Sequence, residues 1–308
     1  MEDFIGNVKM NYKFYKGIDL YSDGEVEDII LDIVKYRPQC EYEKIIMQEK
    51  SWPIFYHLSN LRTNIVEWIP INENSSVLEI GSGCGAITGA LANKCKKITC
   101  IDLSKKRSEI NAYRNKDKSN INIIVGNFQD VEKELTEQYD YITLIGVFEY
   151  GEYYIQSDKP YLEFLNIISK HLKKNGRIII AIENKIGMKY WAGSKEDHVG
   201  KYYESIEGYT KSKGVKTFTK LELEEICNNA GFKEFKFYYP YPDYKFTTTI
   251  YSDDYLPQVG SLNNNIRNYD MDRLITFDES KVYDTVIKNN LFPLYSNSYL
   301  LILTKSEG

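Results

Sequence analysis

The chain has 308 residues, 43% of them hydrophobic, and a formal net charge of −5 at pH 7. This length holds one large domain, or one domain with a substantial appendage, around an ordinary core. An acidic chain is not expected to bind nucleic acid or an anionic membrane surface, so we predict no nucleic-acid partner. The five cysteines have no metal-ligand or disulfide spacing, and neither a signal peptide nor a membrane span is evident, which predicts a cytoplasmic protein.

An N-terminal helical extension is predicted over residues 1–72. Apolar residues recur at helical spacing over residues 26–34 and again over residues 55–69. The second of these helices carries His57 and Arg62 among its apolar positions and leads directly into the first predicted strand. These two side chains either belong to an exposed polar face or reach a ligand.

The most informative stretch is VLEIGSGCGAITGAL at residues 77–91. It begins as a short apolar strand, continues with Gly81, Gly83 and Gly85, and ends with helical periodicity. Glycine permits left-handed dihedral angles and a close approach of ligand to backbone. The helix that follows directs free N–H groups and a positive dipole end toward the turn. The stretch predicts a site for a nucleotide-like ligand, but it also fits the dinucleotide fingerprint.

Strands and helices alternate after this turn, which predicts a parallel, doubly wound sheet. The further strands are expected at residues 97–101, 121–125, 139–145 and 177–182. In such a sheet the ligand lies beyond the carboxyl ends of the strands, where the sequence places Asp102, Asn127, Gly146 and Glu183. Asp102 lies about 20 residues after the glycines, where a carboxylate can accept hydrogen bonds from a ribose diol.

Residues 183–217 show neither helical nor alternating periodicity, although they are rich in aromatic residues and glycine. Long irregular segments of this kind are usually functional or disordered, and this composition favours an active-site loop. It contains Glu196, Asp197 and His198, and a histidine oriented by a carboxylate can accept a proton near neutral pH. We predict His198 as a general base. The alternative is that these side chains only hold the loop in place through hydrogen bonds.

The C-terminal part begins with a helix over residues 219–230, whose capping box pairs Thr219 with Glu222. A strand at residues 232–239, a cap insertion at residues 241–295 and a last strand at residues 298–304 follow. The predicted fold is α/β, with a doubly wound, Rossmann-like, seven-stranded sheet that is mostly parallel and ends in an antiparallel strand. The predicted domains are the extension at 1–72 and one domain at 73–308.

Together, these motifs resemble those of class I S-adenosylmethionine-dependent methyltransferases. They are the glycine turn with Glu79 before it, Asp102, Gly126-Asn127-Phe128, LKKNGR at 172–177 and Ala230-Gly231-Phe232. A narrower resemblance is to methyltransferase domains found with glycosyltransferases in bacterial surface-polysaccharide clusters. Its segments are YHLSNLR at 56–62, LIGVFEY at 144–150, AIENKIGMKYWAGSKEDH at 181–198 and FYYPYPDYK at 237–245.

The family resemblance implies S-adenosylmethionine as the cofactor and gives each matched position a role. The methionine part of the cofactor would be held by Glu79, Gly81, Ser82 and Gly83. The ribose would bind Asp102, the adenine would contact Leu103, Asn127 and Phe128, and the methyl-transfer site would be bordered by Gly146 and Val147. Arg62 is a further candidate for cofactor binding. The family usually has aspartate where Asn127 stands, but the amide oxygen of asparagine can also accept the adenine proton.

We predict methyl transfer to an oxygen or nitrogen of a small molecule or glycan, in polysaccharide or secondary-metabolite biosynthesis, with glycosyltransferases as candidate partners. After His198, the candidate general bases are Glu149 and then His57. No group of residues has metal-ligand spacing, so a metal-independent enzyme is expected.

Three alternatives stay open. One is transfer of another group from the same cofactor, such as aminocarboxypropyl, to a peptide or metabolite. The second is an NAD-dependent oxidoreductase, against which Glu79 and the later strand motifs weigh. The third is a non-catalytic protein that binds a partner through its aromatic cap, against which the intact glycines and Asp102 weigh.

Overall fold

The computed structural model describes residues 3–19, 21–265 and 271–305. By its internal contacts the chain forms two compact units. The first unit comprises Met1–Leu144 and His171–Gly176, and the second comprises Ile145–Lys170 and Arg177–Gly308. The predicted domain boundaries at 1–72 and 73–308 stay a prediction.

The described residues form ten strands, so the prediction of seven was wrong. The strands are β1 (Asp3–Ile5), β2 (Val8–Phe14), β3 (Ser76–Ile80), β4 (Lys97–Asp102), β5 (Ile121–Gly126), β6 (Tyr139–Ile145), β7 (Leu172–Glu183), β8 (Glu234–Tyr241), β9 (Thr249–Ser252) and β10 (Ser298–Thr304). The three unpredicted strands are β1 and β2, in what was expected to be a purely helical extension, and β9, in the cap insertion. β1 and β9 are too short to show a clear alternation of apolar and polar residues.

In the first unit the hydrogen-bonded strand order is β1-β2-β5-β4-β3-β6. The pairs β2–β5, β5–β4, β4–β3 and β3–β6 are parallel, and β1 pairs antiparallel with β2. The central strand β3 buries Val77 and Leu78 completely, as expected for a strand covered on both faces. The carboxyl ends of β3, β4 and β5 thus lie at one edge, where Gly81, Asp102 and Asn127 follow them.

The helices of the first unit are α1 (Val26–Tyr36), α2 (Tyr42–Glu49), α3 (Trp52–Leu58), α4 (Asn64–Glu67), α5 (Thr88–Ala92), α6 (Lys105–Arg114) and α7 (Phe128–Val131). The single helix predicted over residues 55–69 is divided into α3 and α4. The division occurs because Ser59 is extended, with ψ of 133°, and its side chain accepts a hydrogen bond from the Leu61 N–H. That hydrogen bond begins a new 3₁₀ turn and ends α3.

The second unit pairs its strands only in antiparallel fashion, in the order β7-β10-β8-β9. The chain therefore has mixed strand pairing, in place of the predicted parallel sheet with one antiparallel strand. The helices of this unit are α8 (Gly151–Tyr154), α9 (Pro160–Lys170), α10 (Met188–Trp191), α11 (Lys220–Asn229), α12 (Glu279–Lys288) and α13 (Phe292–Tyr295). Of the predicted loop at 183–217, only residues 188–191 are helical. No helix in the described part of the chain is long and apolar enough to cross a bilayer.

The capping box of α11 is confirmed and gives a direct test of local stability. The Thr219 side chain accepts a hydrogen bond from the Glu222 N–H, and the Glu222 side chain accepts one from the Thr219 N–H. Thr219→Ala is expected to lower the free energy of unfolding by about 1 kcal/mol, measured by urea titration with circular dichroism. Thr219→Ser keeps the hydroxyl and should lower the free energy of unfolding by less. Equal losses for both variants would contradict the capping role.

Candidate functional site

The glycine turn after β3 has the conformation that glycine permits. Gly81, Gly83 and Gly85 have φ values of 72°, 51° and 72°. A Cβ atom on Gly85 would lie 2.3 Å from Asn111 Oδ1, so this glycine allows α6 to pack closely against the turn. A Cβ atom on Gly83 would meet nothing within 4 Å. The backbone at Gly83 therefore faces open space, which a ligand can occupy.

Asp102 connects the end of β4 to this turn. Its carboxylate accepts hydrogen bonds from the Gly83 N–H at 2.7 Å and the Ser104 N–H at 2.9 Å. Desolvation raises the pKa of Asp102, while these two backbone donors oppose that rise. A carboxylate offers about four acceptor positions, so two donors leave capacity for the hydroxyls of a ribose.

Glu79 and Ser82 carry buried polar atoms that the described residues do not satisfy. Glu79 Oε2 accepts hydrogen bonds from Thr88 Oγ1 at 2.7 Å and Cys100 Sγ at 3.4 Å. Glu79 Oε1 and Ser82 Oγ have no hydrogen-bond partner among the described residues. Buried polar atoms in folded proteins are normally hydrogen-bonded. These two atoms, beside the open space at Gly83, fit the polar methionine end of S-adenosylmethionine.

The positions predicted to contact adenine follow β4 and β5. Leu103 is half-buried and Phe128 is buried. Asn127 caps α7, because its side-chain oxygen accepts a hydrogen bond from the Gln129 N–H at 3.0 Å. Asparagine and aspartate are nearly equivalent caps, which explains how asparagine can replace the family's usual aspartate here.

His57 and Arg62 are both buried and have partners within the first unit. His57 Nε2 lies 2.8 Å from Asp23 Oδ2, and burial lowers the pKa of His57. Arg62 donates a hydrogen bond to Tyr56 Oη at 3.2 Å and lies 4.3 Å from the centre of that ring. Asp23 thus accounts for the ring nitrogen Nε2 of His57, and Tyr56 contacts the guanidinium group of Arg62. The proposed ligand roles of His57 and Arg62 stay predictions.

Gly146 and Val147, the predicted border of the methyl-transfer site, lie near the start of the second unit. Gly146 has a φ of 68°, and a Cβ atom there would lie 2.7 Å from Tyr244 Oη. Val147 is buried and precedes the 3₁₀ turn that carries Glu149. Glycine at position 146 thus permits both the turn and the close approach of Tyr244.

His198 and Glu149, two of the three predicted catalytic residues, lie in contact in the second unit. His198 Nε2 is 3.3 Å from Glu149 Oε1 and 3.8 Å from Glu183 Oε2, and His198 Nδ1 is 3.1 Å from Glu196 Oε1. Burial alone would lower the pKa of His198, but the three carboxylates outweigh it and raise that pKa well above its usual value. Burial raises the pKa of Glu149. The predicted third candidate, His57, belongs to the first unit.

Two lysines that were not predicted as site residues form ion pairs within this cluster. Lys189 is buried, and Lys245 is partly buried. Lys189 Nζ lies 2.8 Å from Asp197 Oδ2 and 2.8 Å from Asp243 Oδ2. Lys245 Nζ lies 2.7 Å from Asp197 Oδ1 and also contacts Glu183 Oε1. Both lysines lie in the segments of the narrower resemblance, but nothing in their sequence spacing indicates that they share Asp197.

Replacing Lys189 tests how far the second unit depends on this network. Lys189→Met leaves Asp197 and Asp243 without their shared cation in a buried position. Breaking a buried pair in this way is expected to lower the free energy of unfolding by about 3–5 kcal/mol in urea titrations. The matched control Lys201→Met changes an exposed lysine and should alter the free energy of unfolding by no more than about 0.5 kcal/mol. Similar curves for the two variants would show that the network contributes little.

Glu79 gives a prediction about pH. Burial raises the pKa of Glu79 from 4.5 to about 7, so the folded state binds this proton more tightly than the unfolded chain. The free energy of unfolding should therefore fall as pH rises through that interval, by up to about 3 kcal/mol. Glu79→Gln cannot titrate and should gain stability relative to the unmodified protein between about pH 5 and about pH 8.

Urea titrations at the two pH values check this expectation. Glu73→Gln, at an exposed position, is the control and should follow the unmodified protein at both pH values. A difference between Glu79→Gln and the unmodified protein that is the same at both pH values would contradict the predicted titration.

Comparison with known proteins agrees with the cofactor geometry. A family model described as a methyltransferase domain matches residues 54–234, which is more than half of the chain. The ribosomal RNA small subunit methyltransferase A of Fusobacterium nucleatum is 26% identical over 70% of this chain and 78% of its own length. The protein of that name from Borreliella afzelii is 24% identical over 67% of this chain and 64% of its own length.

A SAM-dependent methyltransferase from Archaeoglobus fulgidus is a solved structure that resembles the chain. The TM-score is 0.48 at 14% identity, over 80% of this chain and 95% of the other. At that level the likeness is too weak to support a functional conclusion.

The prediction of no nucleic-acid partner was wrong, because these curated relatives are by name methyltransferases of ribosomal RNA. The prediction rested on a net charge of −5, which is a sum over the whole chain. Such a sum does not describe local surfaces, and the chain contains basic groups such as Lys94, Lys96 and Lys97.

The match to the methyltransferase domain covers the glycine turn, Asp102 and Asn127. The chain belongs to the methyltransferase-domain family and is an S-adenosylmethionine-dependent enzyme with a Rossmann-like α/β fold.

Proposed function

We propose that the enzyme transfers a methyl group to an oxygen or nitrogen of a small molecule or glycan, in polysaccharide or secondary-metabolite biosynthesis. S-adenosylmethionine supplies a methyl group on a sulfonium, which a nucleophile displaces in line. The chain contributes binding, orientation and the handling of the acceptor's proton. The observation that carries this proposal is the buried contact of His198 with Glu149. A hydroxyl acceptor must lose a proton to react, and the carboxylate of this pair can take that proton when the imidazole is already protonated.

The proposed cofactor residues are those that the family resemblance implies, and contacts of the first unit support three of them. Asp102 would accept hydrogen bonds from the ribose, and the unsatisfied oxygen atoms of Glu79 and Ser82 would bind the methionine end. The remaining proposed positions are Gly81, Gly83, Leu103, Asn127, Phe128, Gly146, Val147 and Arg62. As the group that accepts the acceptor's proton we propose His198 first and Glu149 second. His57 is third, because its Nε2 atom already contacts Asp23.

A second candidate function is methylation of RNA, which the names of the curated relatives favour. The identity to these relatives is between 24% and 26%, and their acceptor cannot be carried to this chain without a test. Transfer of an aminocarboxypropyl group would use the same cofactor, and the mass of the product distinguishes it.

Calorimetric titration with S-adenosylmethionine, S-adenosylhomocysteine and NAD tests the cofactor site. We expect both adenosyl compounds to bind and NAD not to bind. Asp102→Ala should weaken binding at least tenfold, or about 1.4 kcal/mol, because it removes the ribose acceptor. Asp32→Ala, in the exposed part of α1, is the control and should bind normally. Binding of NAD alone would contradict the proposal.

The acceptor is then tested with methyl-labelled cofactor in two parallel reactions. One contains small-subunit ribosomal RNA and the other contains nucleotide sugars with bacterial surface oligosaccharides. Label in the carbohydrate reaction, with a mass increase of one methyl group, supports the first proposal. Label in RNA alone would replace it with the second candidate.

A further inference from the structure

Three side chains of the second unit bring possible metal ligands together. Oxygen atoms of Glu149 and Glu183 and a ring nitrogen of His198 lie within 4.8 Å of one another. His198 Nε2 is 3.3 Å from Glu149 Oε1 and 3.8 Å from Glu183 Oε2. Ligands held about 2.1 Å from one tetrahedral ion lie about 3.4 Å apart, so these separations need little adjustment.

The imidazole ring of His198 is held in place by a contact of its other nitrogen, Nδ1. Nδ1 lies 3.1 Å from Glu196 Oε1, and the second oxygen of Glu196 accepts hydrogen bonds at 2.7 Å from the His198 and Val199 N–H groups. A hydrogen on Nδ1 that is donated to Glu196 leaves the lone pair of Nε2 directed at Glu149 and Glu183. Histidines that bind metals commonly donate their other N–H to a carboxylate in this way.

Glu183 provides a second, independent observation. It is completely buried, and its Oε2 atom, the one nearest His198, has no hydrogen-bond partner in the described part of the chain. The same holds for Oε2 of Glu149, which is 1% exposed. Lys245 contacts the other oxygen of Glu183, so Oε2 is left for a cation.

The cluster also contains more carboxylates than cationic groups. Its carboxylates are Glu149, Glu183, Glu196, Asp197 and Asp243. The ion pairs of the described residues supply only Lys189, Lys245 and His198 as cationic partners. Even with a protonated imidazole, two negative charges have no counterpart within the cluster. Buried charges are costly unless they are paired or coordinate a metal.

We propose that Glu149, Glu183 and His198 bind a divalent transition cation, and that Glu196 orients the histidine. A mixed set of imidazole and carboxylate ligands suits Zn²⁺ or Mn²⁺. Three protein ligands leave a coordination position at which an acceptor oxygen can be polarised. In that arrangement His198 Nε2 and Glu149 hold the cation and do not accept the acceptor's proton, so this proposal is an alternative to the general-base role and to the expectation of a metal-independent enzyme.

Calorimetric titration of the chelator-treated full chain with Zn²⁺ and with Mn²⁺ tests this site. No cofactor or acceptor is present, so the result does not depend on the proposed methyl transfer. We expect one ion per chain for at least one metal, with at least tenfold weaker binding in Glu183→Gln and His198→Asn. His171→Asn is the matched control, because His171 lies near Glu132 in the first unit, and it should bind like the unmodified protein.

Two further measurements distinguish a loss of metal binding from a loss of folding. Retained binding of S-adenosylmethionine shows that the variants are folded, and Glu196→Gln should weaken metal binding about 10–100-fold. If the variants do not fold, thermal unfolding of the unmodified protein decides, since a bound ion must raise the melting temperature. No binding of either metal, no thermal shift, or unchanged binding in a folded His198→Asn variant would show that a proton occupies this position.

Discussion

The hydrogen bond from the Gly83 N–H to Asp102 is the contact on which the arrangement of the proposed cofactor residues in the first unit depends. It joins the turn after β3 to the end of β4, and it fixes Gly83 in a left-handed conformation beside open space. Parallel pairing places the two strand ends at the same edge, so a carboxylate at the tip of one strand can reach the backbone of the other. One interaction therefore positions both the turn and Asp102, the proposed ribose acceptor.

Buried ion pairs connect the segments of the second unit that carry its candidate site residues. Lys189 and Lys245 share Asp197, which ties the loop that carries His198 to Asp243 in the cap insertion and to Glu183 at the end of β7. Burying so many ionised groups costs solvation free energy, and packed apolar side chains could hold a loop at lower cost. An excess of acids around one histidine is therefore not explained by stability, and it agrees with the proposed chemical role of this cluster.

Much of the fold could be predicted because its signals are local. The glycine turn, the strand ends at Asp102 and Asn127, and the capping box at Thr219 follow from the conformational preferences of single residues and from hydrophobic periodicity. The short strands β1 and β9 could not be predicted, because they form only by pairing with a neighbouring strand. The break in the helix at Ser59 could not be predicted either, because it depends on one side-chain hydrogen bond.

In the candidate site, too, features with local sequence signals could be predicted and features that depend on distant contacts could not. His198 and Glu149 were identified one at a time, from residue chemistry and position after a strand, but their contact depends on the path of the chain between them. The lysines that neutralise Asp197 gave no signal, since a lysine in a sequence is usually on the surface. The negative net charge was misleading for a related reason, because a sum over the chain contains no information about where the charges lie.

The loop around His198 has little regular secondary structure, yet Glu196 binds two backbone N–H groups and the histidine ring within it. The conformational entropy of this segment is thus lost when the protein folds and not when a substrate arrives. If the acceptor binds here, as the proposed function requires, one that matches this arrangement binds without having to order the loop, and one that does not match cannot easily reshape it. Under that proposal, selectivity for the acceptor comes from the hydrogen bonds that hold the loop as much as from the identity of the side chains it presents.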